Sequence, residues 1–285
     1  MSLREACLEL AWAQWVALGV SGSAPKPMHA VDLEAAIAFA PILDELDPRL
    51  HDEVVDWCVQ YASRVVSVSR LKQVLKMFED DHGGRFDRFA AIVNEQGGTK
   101  WPTTSRSARP AKLGHKSRFL VENSAAVQLR ARLIFGVGAR ADVLVALLLS
   151  PLGWTHVSLL SSLAYTKRSL SDALADLSAG GVVHAYHVGN ALHHRLVRKE
   201  QLAALVGKHP ESSFQPWAQR LAVASALLTT MARTHTRSAM VQTIELRKTI
   251  DRHRPALASV GEEPIEDGID PEELVKSWLI PLLEP

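Results

Sequence analysis

The sequence predicts a mainly α-helical protein with one β-hairpin near its middle. Three observations predict it. Apolar residues recur at helical spacing through residues 3–20, 33–78 and 215–250. A two-residue period takes over in Val183–Leu196, on either side of Gly189-Asn190, the signature of a tight hairpin turn. The run "EQGGTKWPTTSRSARPAKLGHKSRF" is rich in Gly, Pro, Ser, Thr, Lys and Arg and almost free of aliphatic residues, which marks a boundary. The expected organisation is an all-α domain over 1–96, a basic linker over 97–125, a helix-and-hairpin domain over 126–208 and a C-terminal helical segment over 209–285.

In the first domain, Leu8, Leu10, Ala11, Trp15, Val16 and Leu18 outline the opening helix, and Gly22, Pro25 and Pro27 break it. Asp32 is a candidate N-cap for the restart at Leu33. Pro41 and Leu46-Asp47-Pro48 divide the run to Phe78 into three or four helices. Ser67–Ser69 opens the last of these, which carries Leu71, Val74, Leu75 and Phe78. Residues 127–135 form a short regular segment. After the hairpin, Lys199–Leu205, Gln215–Met231 and Val241–Ile250 read as helices, and Pro271 can start a final one holding Leu274, Trp278 and Leu279. The apolar helices after residue 215 are candidates for a homodimer interface. A fragment of residues 120–285 is therefore expected, provided it folds, to stay dimeric and to keep its function.

The middle of the chain carries the functional signal. Ala141–Ser150 reads as a first helix. Thr155 is placed as the cap of a second, running to Leu163, and Thr166 caps a third that ends near Ser178. On that third helix Leu170, Ala173, Leu174 and Leu177 share one face, and Arg168, Ser171, Asp172 and Ala175 the other, with Lys167 on its flank. A helix exposing a long donor and small residues near its N-terminus suits a DNA major groove, and its first turn with Ser169 suits phosphate. The same face also allows a plain i,i+4 ion pair between Arg168 and Asp172. With Gly189-Asn190 as the turn, Val183, Ala185 and His187 oppose Leu196, His194 and Leu192 on one face. His184 beside Arg195 and Tyr186 beside His193 form the other. That face can lie along a phosphate backbone. His184 and His187 point to opposite faces and lack a completing Cys or acid, so no metal site is expected.

The run "HVSLLSSLAYTKRSLSDALADLSAGGVV" followed by "GNALHHRLV" resembles the winged helix-turn-helix of bacterial transcriptional regulators of the MarR and ArsR type, over about residues 139–205. The resemblance implies a central winged helix-turn-helix and sequence-specific binding of double-stranded DNA, as a repressor. It implies DNA contacts from Thr155, His156, Thr166, Lys167, Arg168, Ser169, Ser171, Asp172, Tyr186, Asn190, His193 and Arg195. The all-α N-terminal domain is not part of either family's layout, and the ArsR cysteine metal motif is not visible. No effector is therefore expected.

Charge points the same way. Residues 1–96 hold 9 Lys/Arg against 15 Asp/Glu, and residues 97–140 hold 9 against one, Glu122. A net charge of +1 hides this asymmetry, which favours an anionic partner for the middle. Lys100, Arg106, Arg109, Lys112, Lys116 and Arg118 are candidate phosphate contacts; a solvated linker is the simpler account. The acidic first domain is instead expected to hold a protein partner. An antitoxin that grips its toxin through that domain and represses its own operon is the alternative function. Cys7 and Cys58 lie in apolar helical patterns, consistent with reduced thiols in a cytoplasmic protein. No signal peptide and no apolar run of membrane-spanning length is read. The chain has no GxxxxGK[ST], GxGxxG or HExxH pattern, and Asp52, Glu53 and Asp56 read as a solvated helix face, so neither enzyme activity nor a cofactor is expected.

Overall fold

The computed structural model describes residues 1–25, 27, 29–78, 84–105, 110–150, 154–156, 160, 162–207, 213–258, 273, 276 and 277. It is mainly helical, with one small antiparallel sheet. Helix α1 (Leu3–Leu18) starts in a capping box between Ser2 and Glu5. It ends at Gly19, whose φ of 103° is left-handed. A Cβ at Gly19 would collide with the Arg118 carbonyl, so glycine is needed there twice over. Asp32 caps α2 (Leu33–Phe39) through the Ala35 amide. After a 3-10 turn containing Pro41, the short α3 (Leu43–Leu46) leads to α4 (Pro48–Val65), capped by Asp47. Ser67 caps α5 (Val68–Leu75), and α6 is Arg85–Gly97.

These helices bury Trp15, Ile37, Trp57, Leu71 and Phe89 in a shared apolar core. Each such side chain contributes about 1.5–3 kcal/mol. Trp15 meets Trp57 edge to face at 5.6 Å, and the Trp57 indole donates to the Leu18 carbonyl at 2.9 Å.

The expected boundaries do not separate the cores. Residues 99–123 contain no helix or strand among those described, as a linker should, yet the segment is strapped onto the first core. Arg118 N donates to Gly19 O and Leu120 N to Leu18 O. His115 N donates to Asp56 Oδ1, and Phe119 packs on Trp57 and Tyr61. The C-terminal segment is likewise not detached. Helices α11 (Trp217–Thr234) and α12 (Ala239–Ala258) pack on each other, and α11 packs on α2 and α1. Trp217, Leu221 and Leu227 belong to the same apolar core as Trp57. The sequence shows that α11 has an apolar face but not what covers it; here it is covered from within the chain. Of the expected final helix, Glu273, Lys276 and Ser277 are helical, and the other positions lie outside the described residues.

A second apolar cluster joins α7 (Val127–Phe135), α8 (Ala139–Leu149), α9 (Lys167–Ala179), the sheet and α10 (Lys199–Val206). The two cores are bolted together by buried charge. Arg70 on α5 pairs with Asp32 and Glu34, each at 2.6 Å. Arg132 on α7 pairs with Glu34 at 2.7 Å and with Asp142 on α8 at 2.6 Å. Burial alone would raise the Asp32 carboxyl, but the adjacent Arg70 guanidinium holds it below the usual carboxylate range. The arginine forks match the carboxylates in a planar, two-point fit.

Candidate nucleic-acid interface

The site is built outward from that charge network. The Arg70 Nε donates to the Leu163 carbonyl at 2.6 Å, and the Tyr165 hydroxyl donates to Asp142 Oδ2 at 2.8 Å. Between them Ala164 is left-handed at φ 56°, a conformation that costs a non-glycine residue about 1–2 kcal/mol. Its two neighbours are therefore pinned on either side of a strained link. The next residue, Thr166, caps α9 by accepting from the Ser169 amide at 3.2 Å. The first turn of α9 is thus tied to the rest of the molecule on both sides of Ala164.

Helix α9 divides its faces as the sequence predicts. Leu170, Ala173, Leu174 and Leu177 are buried. Thr166, Lys167, Arg168, Ser171, Asp172 and Ala175 are exposed, and Ser169 is half-buried. Arg168 is 91% exposed, and its Nε lies 3.8 Å from Asp172 Oδ2, so the i,i+4 pair is present too. Arg140, at the start of α8, adds an exposed guanidinium 3.6 Å from Asp176 Oδ2 on the same helix. Sequence reading missed Arg140, because nothing local shows that α8 begins beside α9.

The hairpin joins β2 (Val183–Val188) to β3 (Ala191–Leu196) in the expected register, with Tyr186 opposite His193 and His184 opposite Arg195. Gly189 takes a φ of 60° in the turn, as a two-residue hairpin requires. Asn190 is exposed beside it. Tyr186 stacks between His184 at 6.2 Å and His193 at 5.8 Å, and the Arg195 guanidinium lies 5.8 Å from the Tyr186 ring.

Two expectations change. Thr155 does not cap a helix: Trp154–His156 form strand β1, which pairs antiparallel with β3 and puts Thr155 opposite His194 and His156 opposite His193. The sheet order is β1-β3-β2. Of the expected second helix, residues 157–159 and 161 lie outside the described residues. Because β3 is the central strand, His193 and His194 are buried, so His193 is not displayed for the expected DNA contact. Burial, with His193 beside it, pushes the His194 imidazole below its ordinary value. His193 therefore serves as a platform under Tyr186, while Tyr186 and Arg195 reach solvent.

In the basic strap Lys100, Lys112, Lys116 and Arg118 are exposed, and Arg106 and Arg109 lie outside the described residues. The strap bonds to α1, α4 and α6. Among the described residues no His, Cys, Asp and Glu group could hold a metal. No described helix is long and apolar enough to cross a membrane. Comparison with protein-family models, curated proteins and solved structures found no match to this chain.

Proposed function

We propose that the chain binds double-stranded DNA through α9 and the β2–β3 hairpin as a winged helix-turn-helix, and acts as a homodimeric transcriptional repressor. One observation carries this reading. A helix buries one face and exposes Lys167, Arg168 and Ser171 on its first two turns, with a hairpin presenting Arg195 and Tyr186 next in the chain. The order α8, β1, α9, β2, β3 with β3 central supports it. In this reading Arg168 reads a base edge, while Ser171 and Ala175 permit close approach. Thr166, Ser169, Asn190 and Arg195 contact phosphate. Thr155 and His156, now strand residues beside β3, keep only a supporting part in this proposal. Fluorescence anisotropy on duplexes from the region upstream of the coding sequence tests it. Tight binding to one duplex over a scrambled one is expected, and equal affinity for both would sink sequence-specific regulation.

A second reading, a protein-interaction module of the antitoxin kind, has its own support. Leu133, Ile134, Phe135 and Val137 are each roughly two-fifths exposed in one run at the end of α7, as are Val241 and Ile244 near the start of α12, where Met240 is 75% exposed. Apolar surface concentrated in this way favours a protein contact. A second copy of the chain satisfies the first reading, and a different protein the second. Co-purification and light scattering at native expression levels separate them.

A further inference from the structure

Away from the charge network, the helical core opens into a cleft of about 580 Å³ between α5, α6 and the beginning of the strap. That is within the ordinary size range of small-molecule sites, about 300–1,000 Å³. Its floor is apolar and aromatic: Leu75, Phe78, Phe86 and Trp101 line it, and the Trp101 ring stacks on Phe86 at 6.5 Å. The Trp101 Nε1–H is buried and has no acceptor among the described residues, an unmade bond of the kind a bound polar group repairs.

The rim is charged. Lys72 from α5 and Lys100 from the strap both line the cleft and are exposed. Neither has an ion-pair partner among the described residues. Asp87 also lines the cleft, but it is occupied locally. The Thr104 amide donates to Asp87 Oδ1 at 3.2 Å, and the Thr104 hydroxyl donates to its Oδ2. The acid therefore fixes the strap, and the two ammonium groups remain to face a ligand. Aromatic side chains and two lysines lining one cleft select one chemical class: a flat apolar body bearing an anionic group.

We propose that this cleft is a binding site for small organic anions with a flat apolar body. The site does not rest on the DNA-binding reading: it shares none of the residues of α9 or the hairpin, and only Lys100 with the candidate phosphate contacts of the strap. The probe pair is 1-anilinonaphthalene-8-sulfonate and its uncharged analogue N-phenyl-1-naphthylamine, titrated into the full chain and followed by fluorescence. The sulfonate should bind saturably at one site. Replacing both Lys72→Met and Lys100→Met should weaken the sulfonate about five-fold or more while leaving the neutral probe unchanged. Leu75→Trp, which fills the cleft, should reduce both. Thermal melts superimposable on the parent's show that each variant is folded. If the sulfonate does not bind saturably, or binds equally well to the lysine pair variant or to Leu75→Trp, the proposal is overturned.

Discussion

Arg168 holds both readings of the exposed helix face in one side chain. It is almost fully solvated, and its ion pair with Asp172 is long. An exposed pair of this kind is worth about 0–1 kcal/mol, whereas a bidentate contact to guanine is worth about 1–3 kcal/mol. On the proposed docking, releasing Asp172 to engage a base is therefore favourable. Arg168→Ala should weaken binding to the preferred duplex by about 1–3 kcal/mol and leave the melting temperature nearly unchanged. Anisotropy titrations that show parental affinity would rule out this docking. Arg132 poses the opposite case. It is wholly buried between Glu34 and Asp142, so removing it takes a charged partner from each of two carboxylates that solvent does not reach. Arg132→Met should cost about 3–5 kcal/mol in urea unfolding. A loss below 1 kcal/mol would show that the network is not what joins the two cores. Histidines set the pH response. Burial lowers the imidazoles of His29, His51 and His194 below the ordinary 6.5. The unfolded chain then binds more protons than the folded one between those lowered values and 6.5. Stability should be full above about pH 6.5 and fall progressively below it. Urea midpoints that rise on going from pH 7.5 to pH 5.5 would contradict this.

At the scale of elements, the basic strap is the informative case. Its composition reads as a linker, and its backbone is irregular, but Leu120, Arg118 and His115 tie it to α1 and α4. Lys112, Lys116 and Arg118 are consequently displayed from a fixed surface. If they neutralise phosphates, replacing all three by Gln should lower the salt slope of DNA binding by about 0.9 for each phosphate no longer neutralised. An unchanged slope assigns the strap a purely structural part. Locality decides which elements a sequence makes legible. Asp32 and Thr166 cap the helices expected of them, and Asp47 and Ser67 cap helices at the breaks read there, because a cap is a bond between near neighbours. The hairpin register is readable because a two-residue turn fixes every cross-strand pair. Strand β1 is not readable. Three residues have no period, and its partner β3 lies about forty positions away. Burial of His193 and His194 follows from that one unseen pairing. The exposed face of α9 is legible from its own spacing, and Arg140 beside it is not, since only tertiary packing brings it there.

For the whole molecule, the question is whether the part that holds α9 and the hairpin stands alone. The linear pattern suggests that it does, with a break near residue 97 and apolar helices to spare after residue 215. The packing argues otherwise. Helix α11 buries Trp217, Leu221, Ala224 and Leu227 against α1 and α2, and the Trp217 indole donates to the Ala30 carbonyl at 2.7 Å. Arg132 in the second core loses Glu34 if the first core is removed, and Leu163 loses Arg70 at the link that sets α9. A fragment of residues 120–285 would expose the α11 face and strip Arg132 of its bonds to Glu34 and to the Val65 carbonyl, while Asp142 would lose only its 3.8 Å contact with Arg70. Each large side chain returned to water costs about 1.5–3 kcal/mol, and a typical domain has only about 5–15 kcal/mol in total. The fragment should therefore be aggregated or largely unfolded, with DNA affinity reduced to its non-specific level. Circular dichroism, light scattering and anisotropy at fixed salt measure the three quantities together. A folded, soluble fragment with parental affinity would mean that α9 does not depend on the helical core. The buried charges between the cores would then be a seam between independent domains.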